Sequence, residues 1–151
     1  MQSCTNKKIV VNISDAKVSN DTNTSLITYS LGSCIGISLY DAQNKIGGLL
    51  HYQLPDSKMH KNKPVTNPFM FADTGIELML KKLVSLNANK KRLQVKIAGG
   101  AKMFDDEHSF KIGKRNHMVL KKLLWKNGLF VDAEDVGGIH ARTMSLNIEN
   151  G

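Results

Sequence analysis

The chain has 151 residues, of which 41% are hydrophobic and 23% charged, and its 21 lysines and arginines outnumber 13 aspartates and glutamates to give a net charge of +8 at pH 7. This composition is typical of a globular protein and excludes collagen-like, coiled-coil and disordered classes, and the length suits one compact domain that buries a core without disulfides. We therefore expect a single domain over residues 1–151, with residues 1–7 as a flexible tail.

The first third of the chain is predicted to form short strands separated by polar turns. β-Branched and alternating apolar residues predict four strands, at residues 8–13, 26–29, 35–40 and 46–54. The segments between them are predicted as a loop at residues 14–25, a hairpin turn at 41–45 and a loop at 56–68. Pro55 ends the fourth strand, because proline donates no hydrogen bond to a ladder.

The rest of the chain adds two helices. Apolar residues at helical spacing predict a helix over residues 69–86 with one buried face. A polar segment at residues 105–111 precedes a second predicted helix, about 115–127, which Gly128 caps. Further strands are predicted at residues 93–98, 129–134 and 142–148. Six or seven strands, many joined by hairpins, and two helices indicate an α+β domain.

The charge and the two cysteines restrict partners and location. A positive balance indicates an acidic partner, which nucleic acid, an anionic membrane surface or an acidic protein would each provide. Only three residues are arginines, which disfavours a sequence-specific DNA reader.

No apolar run reaches the roughly 18 residues of a membrane span and no signal-peptide pattern opens the chain, so we expect a cytoplasmic protein. Cys4 and Cys34 are too few for a disulfide framework or a four-cysteine zinc site.

Cys34 is the first candidate for chemistry. It follows a Leu-Gly-Ser turn between two predicted strands, where a side chain can stand at an exposed bend. A cysteine thiolate is the nucleophile of many acyl-transfer reactions, and the amides of such a turn can form an oxyanion hole. The alternative is a buried cysteine that packs as a small hydrophobe.

His51 and Thr28 are candidates to act with Cys34. The hairpin after Cys34 has a suitable length to return His51 to its side, and a histidine there can lower the pKa of the thiol and protonate a leaving group. Thr28 lies on the strand that enters the Cys34 turn, where it can orient the imidazole. The structural alternatives are a hydrogen-bonded core histidine and a threonine that fills a strand position.

Five motifs occur in a definite order along the chain. They are residues 28–34 (TYSLGSC), 47–57 (GGLLHYQLPDS), 97–104 (IAGGAKMF), 112–116 (IGKRN) and 134–138 (EDVGG). Together the motifs resemble the chemoreceptor glutamine deamidase family, CheD, over roughly residues 8–148. The resemblance implies a fold similar to that of other cysteine-dependent protein deamidases, a layered α/β sandwich of mostly antiparallel or mixed strands with two main helices.

The resemblance also implies an activity. It makes Cys34 the nucleophile, His51 the catalytic histidine and Thr28 its supporting residue. The family hydrolyses selected glutamines in the cytoplasmic helices of methyl-accepting chemotaxis receptors to glutamate and ammonia, and some members hydrolyse glutamyl methyl esters. The expected chemistry passes through a cysteine thioester without a metal or organic cofactor. A CheC-type phosphatase is the second partner that the resemblance implies.

The remaining candidate residues lie around the cysteine and in the later motifs. Oxyanion or substrate-binding roles are expected for Gly32, Ser33, Gly99, Gly100, Met103, Phe104, Arg115 and Asn116. Turn formation is the alternative for the glycine pairs Gly47–Gly48, Gly99–Gly100 and Gly137–Gly138, whose spacing fits no phosphate-binding loop. Core packing is the alternative for Met103 and Phe104, and a helix cap is the alternative for Arg115 and Asn116.

Two other classes of function stay open at this point. One is a non-catalytic adaptor that docks on receptors or on a CheC-type phosphatase, which the intact set of cysteine, histidine and threonine disfavours. The other is a basic nucleic-acid-binding domain, which only the charge suggests.

Overall fold

The computed structural model describes residues 5–60, 65–104 and 107–151. Its strands are β1 (Lys7–Val10), β2 (Asp15–Ser19), β3 (Thr24–Leu31), β4 (Ile35–Asp41), β5 (Ile46–Tyr52), β6 (Gln94–Gly99), β7 (Val131–Val136) and β8 (Arg142–Asn147). Its α-helices are α1 (Ala72–Ser85) and α2 (Glu107–Lys126). Short 3-10 helices occur at Ser57–His60, Pro68–Met70 and Lys90–Arg92. Two helices with two mixed sheets confirm the predicted α+β class.

The strands form two sheets. The small sheet has the order β1-β3-β8, in which β1 runs parallel and β8 antiparallel to β3. The large sheet has the order β2-β5-β4-β6-β7 and is antiparallel except for the parallel pair β6 and β7. The hairpin of β4 and β5 therefore lies at the centre of the large sheet.

Two apolar layers hold the sheets and helices together. Alternate residues of β4, such as Ile35 and Ile37, pack with α1 and α2 on one face of the large sheet. The other face meets the small sheet, where Tyr40 and Leu49 pack against Leu146. Because both faces of β4 and β5 are buried, their sequences are mostly apolar and lack the alternation of exposed polar residues, and their few polar residues, such as Ser38 and Asp41, are buried as well.

Two predicted boundaries were wrong at the helices. Helix α1 begins at Ala72, after the 3-10 turn at Pro68–Met70, instead of at residue 69. Helix α2 begins at Glu107, eight residues before the predicted start, so most of the supposed separator at residues 105–111 is helical; residues 105–106 lie outside the described residues. Gly113 lies within α2 and permits close contact with the loop after β6, because a Cβ at this position would come 2.8 Å from the carbonyl oxygen of Gly100.

The strand predictions also need correction. The predicted loop at residues 14–25 contains β2, an edge strand whose buried Ala16 alternates with polar neighbours, and the chain has eight described strands instead of six or seven. The pair Gly47–Gly48 lies inside β5 and forms no turn: the two glycines make room for Leu146 on one face and Met79 on the other. Lys7, placed in the tail, begins β1, while residues 1–4, including Cys4, lie outside the described residues.

Hydropathy adds one finding. Within residues 5–60, 65–104 and 107–151, no helix combines the length and apolar character needed to cross a membrane.

A buried carboxylate fixes the far end of the central hairpin. Asp41, fully buried at the end of β4, accepts hydrogen bonds from Arg92 Nε (3.2 Å) and Nη2 (2.9 Å) and from the amides of Gln43, Asn44 and Asn89. Burial alone would raise the pKa of this carboxyl, but the hydrogen bonds from Arg92 and the amides outweigh it and lower the pKa. One side chain thus ties the hairpin turn to the turn before β6.

We predict that Asp41→Ala lowers the free energy of unfolding by about 2–4 kcal/mol, because it leaves the guanidinium and three amides without their acceptor. Urea denaturation of both proteins measures the difference, which should shrink as the pH falls below about 4, since the pKa is lower in the folded protein than in the unfolded chain. Glu77→Ala, which removes an exposed ion pair with Lys81, is the control and should change stability by about 0.5 kcal/mol or less. Equal effects of the two substitutions would contradict the prediction.

Candidate active site

Cys34 and His51 are brought together by the register of the central hairpin. Cys34 directly precedes β4, and the ladder pairs Ile35 with Tyr52 and Gly36 with His51. Since side chains alternate along a strand, Cys34 lies on the same face as Gly36 and His51. That face meets the small sheet, and the missing side chain of Gly36 leaves room for Leu31 and Met144.

Thr28 holds the ring of His51 in one tautomer. The Thr28 hydroxyl is 2.7 Å from the carbonyl oxygen of Val11 and 2.7 Å from His51 Nδ1. A hydroxyl has one proton, which it donates to the carbonyl, so it accepts the hydrogen bond from Nδ1–H. The lone pair of the imidazole is therefore on Nε2.

His51 Nε2 has the properties of a general base. His51 is fully buried, and Nε2 has no hydrogen-bond partner among the described residues. Burial lowers the pKa of the imidazole, because the protonated ring loses its hydration. The ring is therefore neutral at neutral pH and free to accept a proton.

Cys34 is a thiol in this resting arrangement. Burial raises the pKa of its side chain, and the hydrogen bond from its own amide opposes this shift without cancelling it. This direction is opposite to the expectation that a nearby histidine lowers the pKa of the thiol. The pair is therefore a thiol and a neutral imidazole on the same face of the sheet, and the lone pair on Nε2 is able to accept a proton.

The loop after β6 holds the backbone of the Cys34 turn. The amide of Gly100 donates to the carbonyl of Cys34 (2.9 Å), and the amide of Ala101 donates to the carbonyl of Gly32 (2.8 Å). Gly99 has a φ of +112°, and a Cβ there would overlap the Cys34 carbonyl oxygen. Close approach to the backbone of Cys34 is therefore the reason for glycine at this position.

The amides of the turn itself remain available to a ligand. Apart from the contact of the Cys34 amide with its own sulfur, the amides of Ser33 and Cys34 donate to no group within the described part of the chain. Both amides flank the Cys34 side chain, and backbone amides without an internal acceptor are the groups from which oxyanion holes are built.

Asn116 joins the two halves of the site from α2. Its Nδ2 donates to the carbonyls of Ser33 and Gln53, both at 2.9 Å. The hydroxyl of Tyr52 donates to the main-chain carbonyl of Asn116 at 2.8 Å. The residue is fully buried in the middle of the helix, so the helix-cap alternative is wrong. Asn116 fixes the turn before β4 relative to the end of β5.

Three other predicted site residues have different environments. Arg115, also in mid-helix, is exposed on the outer side of α2 and is not brought to the turn. Met103 covers Gly32, where a Cβ would lie 2.8 Å from its Cγ. Phe104 is 87% exposed with a φ of +61°, so core packing is wrong for this residue.

Sequence reasoning missed the residues that brace the glycine loops. Arg142 Nη1 donates to the carbonyl of Gly137 at 2.7 Å, and the amide of Gly137 donates to the carbonyl of Gly99 at 2.9 Å. Arg142 also pairs with Asp135 at 3.2 Å. An arginine shortly after the EDVGG motif was the available signal. Tyr52, which supports Asn116, gave no signal beyond its place in an apolar strand.

Comparison with known proteins identifies relatives along the whole chain. A family model described as CheD chemotactic sensory transduction matches residues 53–151. The "Probable chemoreceptor glutamine deamidase CheD 1" of Syntrophus aciditrophicus is 49% identical over 143 residues, covering 95% of this chain and 89% of that protein. Proteins named "Probable chemoreceptor glutamine deamidase CheD" from Solibacter usitatus and Pyrococcus horikoshii are 46% and 44% identical, covering 96% of this chain and 86% and 89% of their own lengths.

Two solved structures share the fold. Bacillus licheniformis hypothetical protein YfiH superposes with a TM-score of 0.50 and 13% identity, and Neisseria meningitidis protein NMB0706, of family DUF152, with 0.51 and 7%. The matches cover 80% and 89% of this chain but only 49% and 63% of those chains. At these identities the likeness bears on the fold alone.

We predict that Thr28→Val removes the tautomer preference of His51. In the wild-type protein, ¹⁵N NMR should find the proton on Nδ1, because the threonine hydroxyl accepts it. Thr28→Val removes that acceptor, so the Nε2–H form should become populated, whereas Thr28→Ser should keep the wild-type spectrum. An Nε2–H tautomer in the wild-type protein would contradict the assignment.

Proposed function

The chain belongs to the CheD family, and from this premise we propose that it is a chemoreceptor glutamine deamidase, hydrolysing glutamine side chains of methyl-accepting chemotaxis receptors to glutamate and ammonia. The observation that carries the proposal is the hydrogen bond between Thr28 and His51, which leaves a lone pair on Nε2 on the face that carries Cys34. A structural histidine would instead use both ring nitrogens in hydrogen bonds.

The first half of the proposed reaction forms a thioester. His51 Nε2 takes the thiol proton as Cys34 Sγ attacks the carboxamide carbon, and the carbonyl oxygen becomes an oxyanion. The amides of Ser33 and Cys34 stabilise this oxyanion. The carbon–nitrogen bond then breaks as the imidazolium returns its proton to the departing nitrogen, which leaves as ammonia.

The second half restores the enzyme. His51, neutral again, takes a proton from a water molecule that attacks the thioester carbon. The carbon–sulfur bond breaks, the sulfur regains its proton from the imidazolium, and the product is a glutamate side chain. Because a methyl ester differs from an amide only in its leaving group, the same steps would release methanol from a glutamyl methyl ester.

The residues around the site suit a protein substrate or partner. Phe104 lies one residue after Met103, which covers the Cys34 turn, and its ring is largely exposed. Large exposed aromatic side chains are typical anchors of protein interfaces. We assign Phe104 to contact with the receptor, and a CheC-type phosphatase would compete for the same residue.

Substitution of the three residues tests the proposal. Mass spectrometry of a receptor cytoplasmic fragment should detect amide-to-acid conversion by the wild-type protein and none by Cys34→Ala. His51→Ala should lower kcat by about 10²–10⁴-fold, because it removes the acid and base. Thr28→Val should lower kcat by about tenfold or more, since it releases the imidazole from its orientation, and Thr28→Ser should keep most activity. Conversion that persists in Cys34→Ala would reject the mechanism, whereas absence of conversion by the wild-type protein with every cognate receptor fragment would favour the non-catalytic adaptor.

The pH dependence tests the protonation states. Because burial lowers the pKa of His51, the neutral base should persist to below the ordinary histidine value of about 6.5. We predict that kcat/KM is flat through neutral pH and falls only under more acidic conditions, as His51 becomes protonated. Ammonia release measured across a pH series provides the profile. An acidic limb centred above about pH 7 would indicate that His51 is charged in the resting enzyme.

A further inference from the structure

Most of the net positive charge of the chain lies on α2. The helix contains one acidic residue, Glu107, and six cationic ones: Lys111, Lys114, Arg115, Lys121, Lys122 and Lys126. Its net charge is +5, against +8 for the whole chain. The excess that the composition shows is therefore concentrated in one element.

The six cationic side chains share one face of the helix. All are exposed, whereas Asn116, Leu120 and Leu124 are buried on the opposite side. At about 100° per residue the six lie within an arc of about 140° and extend over about 22 Å. We call this the α2 cationic face. It also includes Met118, 50% exposed, and Trp125, 76% exposed.

The charge of this face is largely unbalanced by the protein itself. Among the described residues Lys121 is the one member of the six with an acidic partner, Glu134, at 3.2 Å. A face with this charge attracts acidic ligands and raises their rate of encounter. Trp125, between Lys121, Lys122 and Lys126, lines a shallow depression with them and offers an apolar contact at its centre.

The α2 cationic face is continuous with the active site. Lys114 lines a depression of about 150 Å³ with Gly100, whose amide binds the carbonyl of Cys34. Asn116, two residues further along the helix, holds the carbonyl of Ser33 from the inner side. A segment bound along α2 therefore passes beside the loop that supports the nucleophile.

We propose that the α2 cationic face binds an acidic segment of the protein substrate, with Trp125 as its apolar anchor and the Lys114 end beside the active site. That the segment belongs to the substrate rests on the proposed deamidase function. An anionic membrane fits less well, because helices that bind membranes insert a broad apolar face. The apolar side of α2 is buried in the core, and among the side chains of α2 that the structure describes, Met118 and Trp125 are the large apolar ones left exposed.

Trp125 is the only tryptophan in the chain, so its fluorescence reports directly on this face. The probe is a synthetic peptide with one glutamine among glutamates, added to Cys34→Ala protein so that binding is measured without turnover. A neutral twin peptide carries serine in place of each glutamate. The acidic peptide should shift the Trp125 emission to shorter wavelength, with an affinity that falls as salt is added. The neutral twin should cause no shift.

Matched variants locate the binding site. Lys122→Gln with Lys126→Gln should weaken the affinity for the acidic peptide by about five- to tenfold. Lys8→Gln with Lys91→Gln removes the same charge from exposed positions on β1 and in the turn before β6, and should change the affinity less than about twofold.

The outcomes separate this proposal from the deamidase function. Equal affinity for both peptides, equal loss in the two double variants, or a shift caused by vesicles containing phosphatidylglycerol but not by the acidic peptide would overturn the docking surface. Ammonia release from a receptor fragment by the wild-type protein is measured separately. Its absence would reject the deamidase while leaving the fluorescence result to decide the docking surface.

Discussion

The pairing of β4 with β5 is the constraint on which the site depends. One register, Gly36 opposite His51, places a histidine beside a cysteine that is seventeen residues earlier in the chain. A shift of one residue would turn His51 to the helix side of the sheet and remove it from Cys34. Asp41 fixes the closed end of this hairpin, and Asn116 fixes its open end through the carbonyls of Ser33 and Gln53. The rest of the fold keeps these two ends in place.

Backbone groups supply much of the rigidity around Cys34. The carbonyls of Gly32, Ser33 and Cys34 each accept a hydrogen bond from a different residue outside the turn. Preorganised groups need not rearrange when charge develops during a reaction, and electrostatic stabilisation is then most effective. This arrangement requires glycine in the loop after β6, because a side chain at Gly99 would occupy the space of the Cys34 carbonyl.

The sequence allowed prediction of the features that depend on local pattern and on motifs. Spacing predicts the buried face of α1 and the β4–β5 hairpin. The length of that hairpin and the family resemblance together predict that Thr28, Cys34 and His51 associate. Strand β2 was missed because an edge strand buries only one side, and its polar residues look like a loop. The start of α2 was missed because residues 105–111 are mostly polar, whereas the helix already begins at Glu107 within that segment. The roles of Asn116 and Arg142 depend on hydrogen bonds between distant segments, which no local pattern encodes.

The carbonyl of Val11 links the amino-terminal part of the chain to the protonation state of the His51 ring. It takes the only proton of the Thr28 hydroxyl and so obliges that oxygen to be an acceptor toward His51. Val11 directly follows β1, a four-residue strand at the edge of the small sheet. Val11 itself is buried in the apolar layer between the two sheets, with Leu26, Leu49 and Leu146. The orientation of the His51 ring is therefore held by the packing of that layer, so a substitution that loosened the layer around Val11 would reach the imidazole through one carbonyl oxygen without altering any residue of the site.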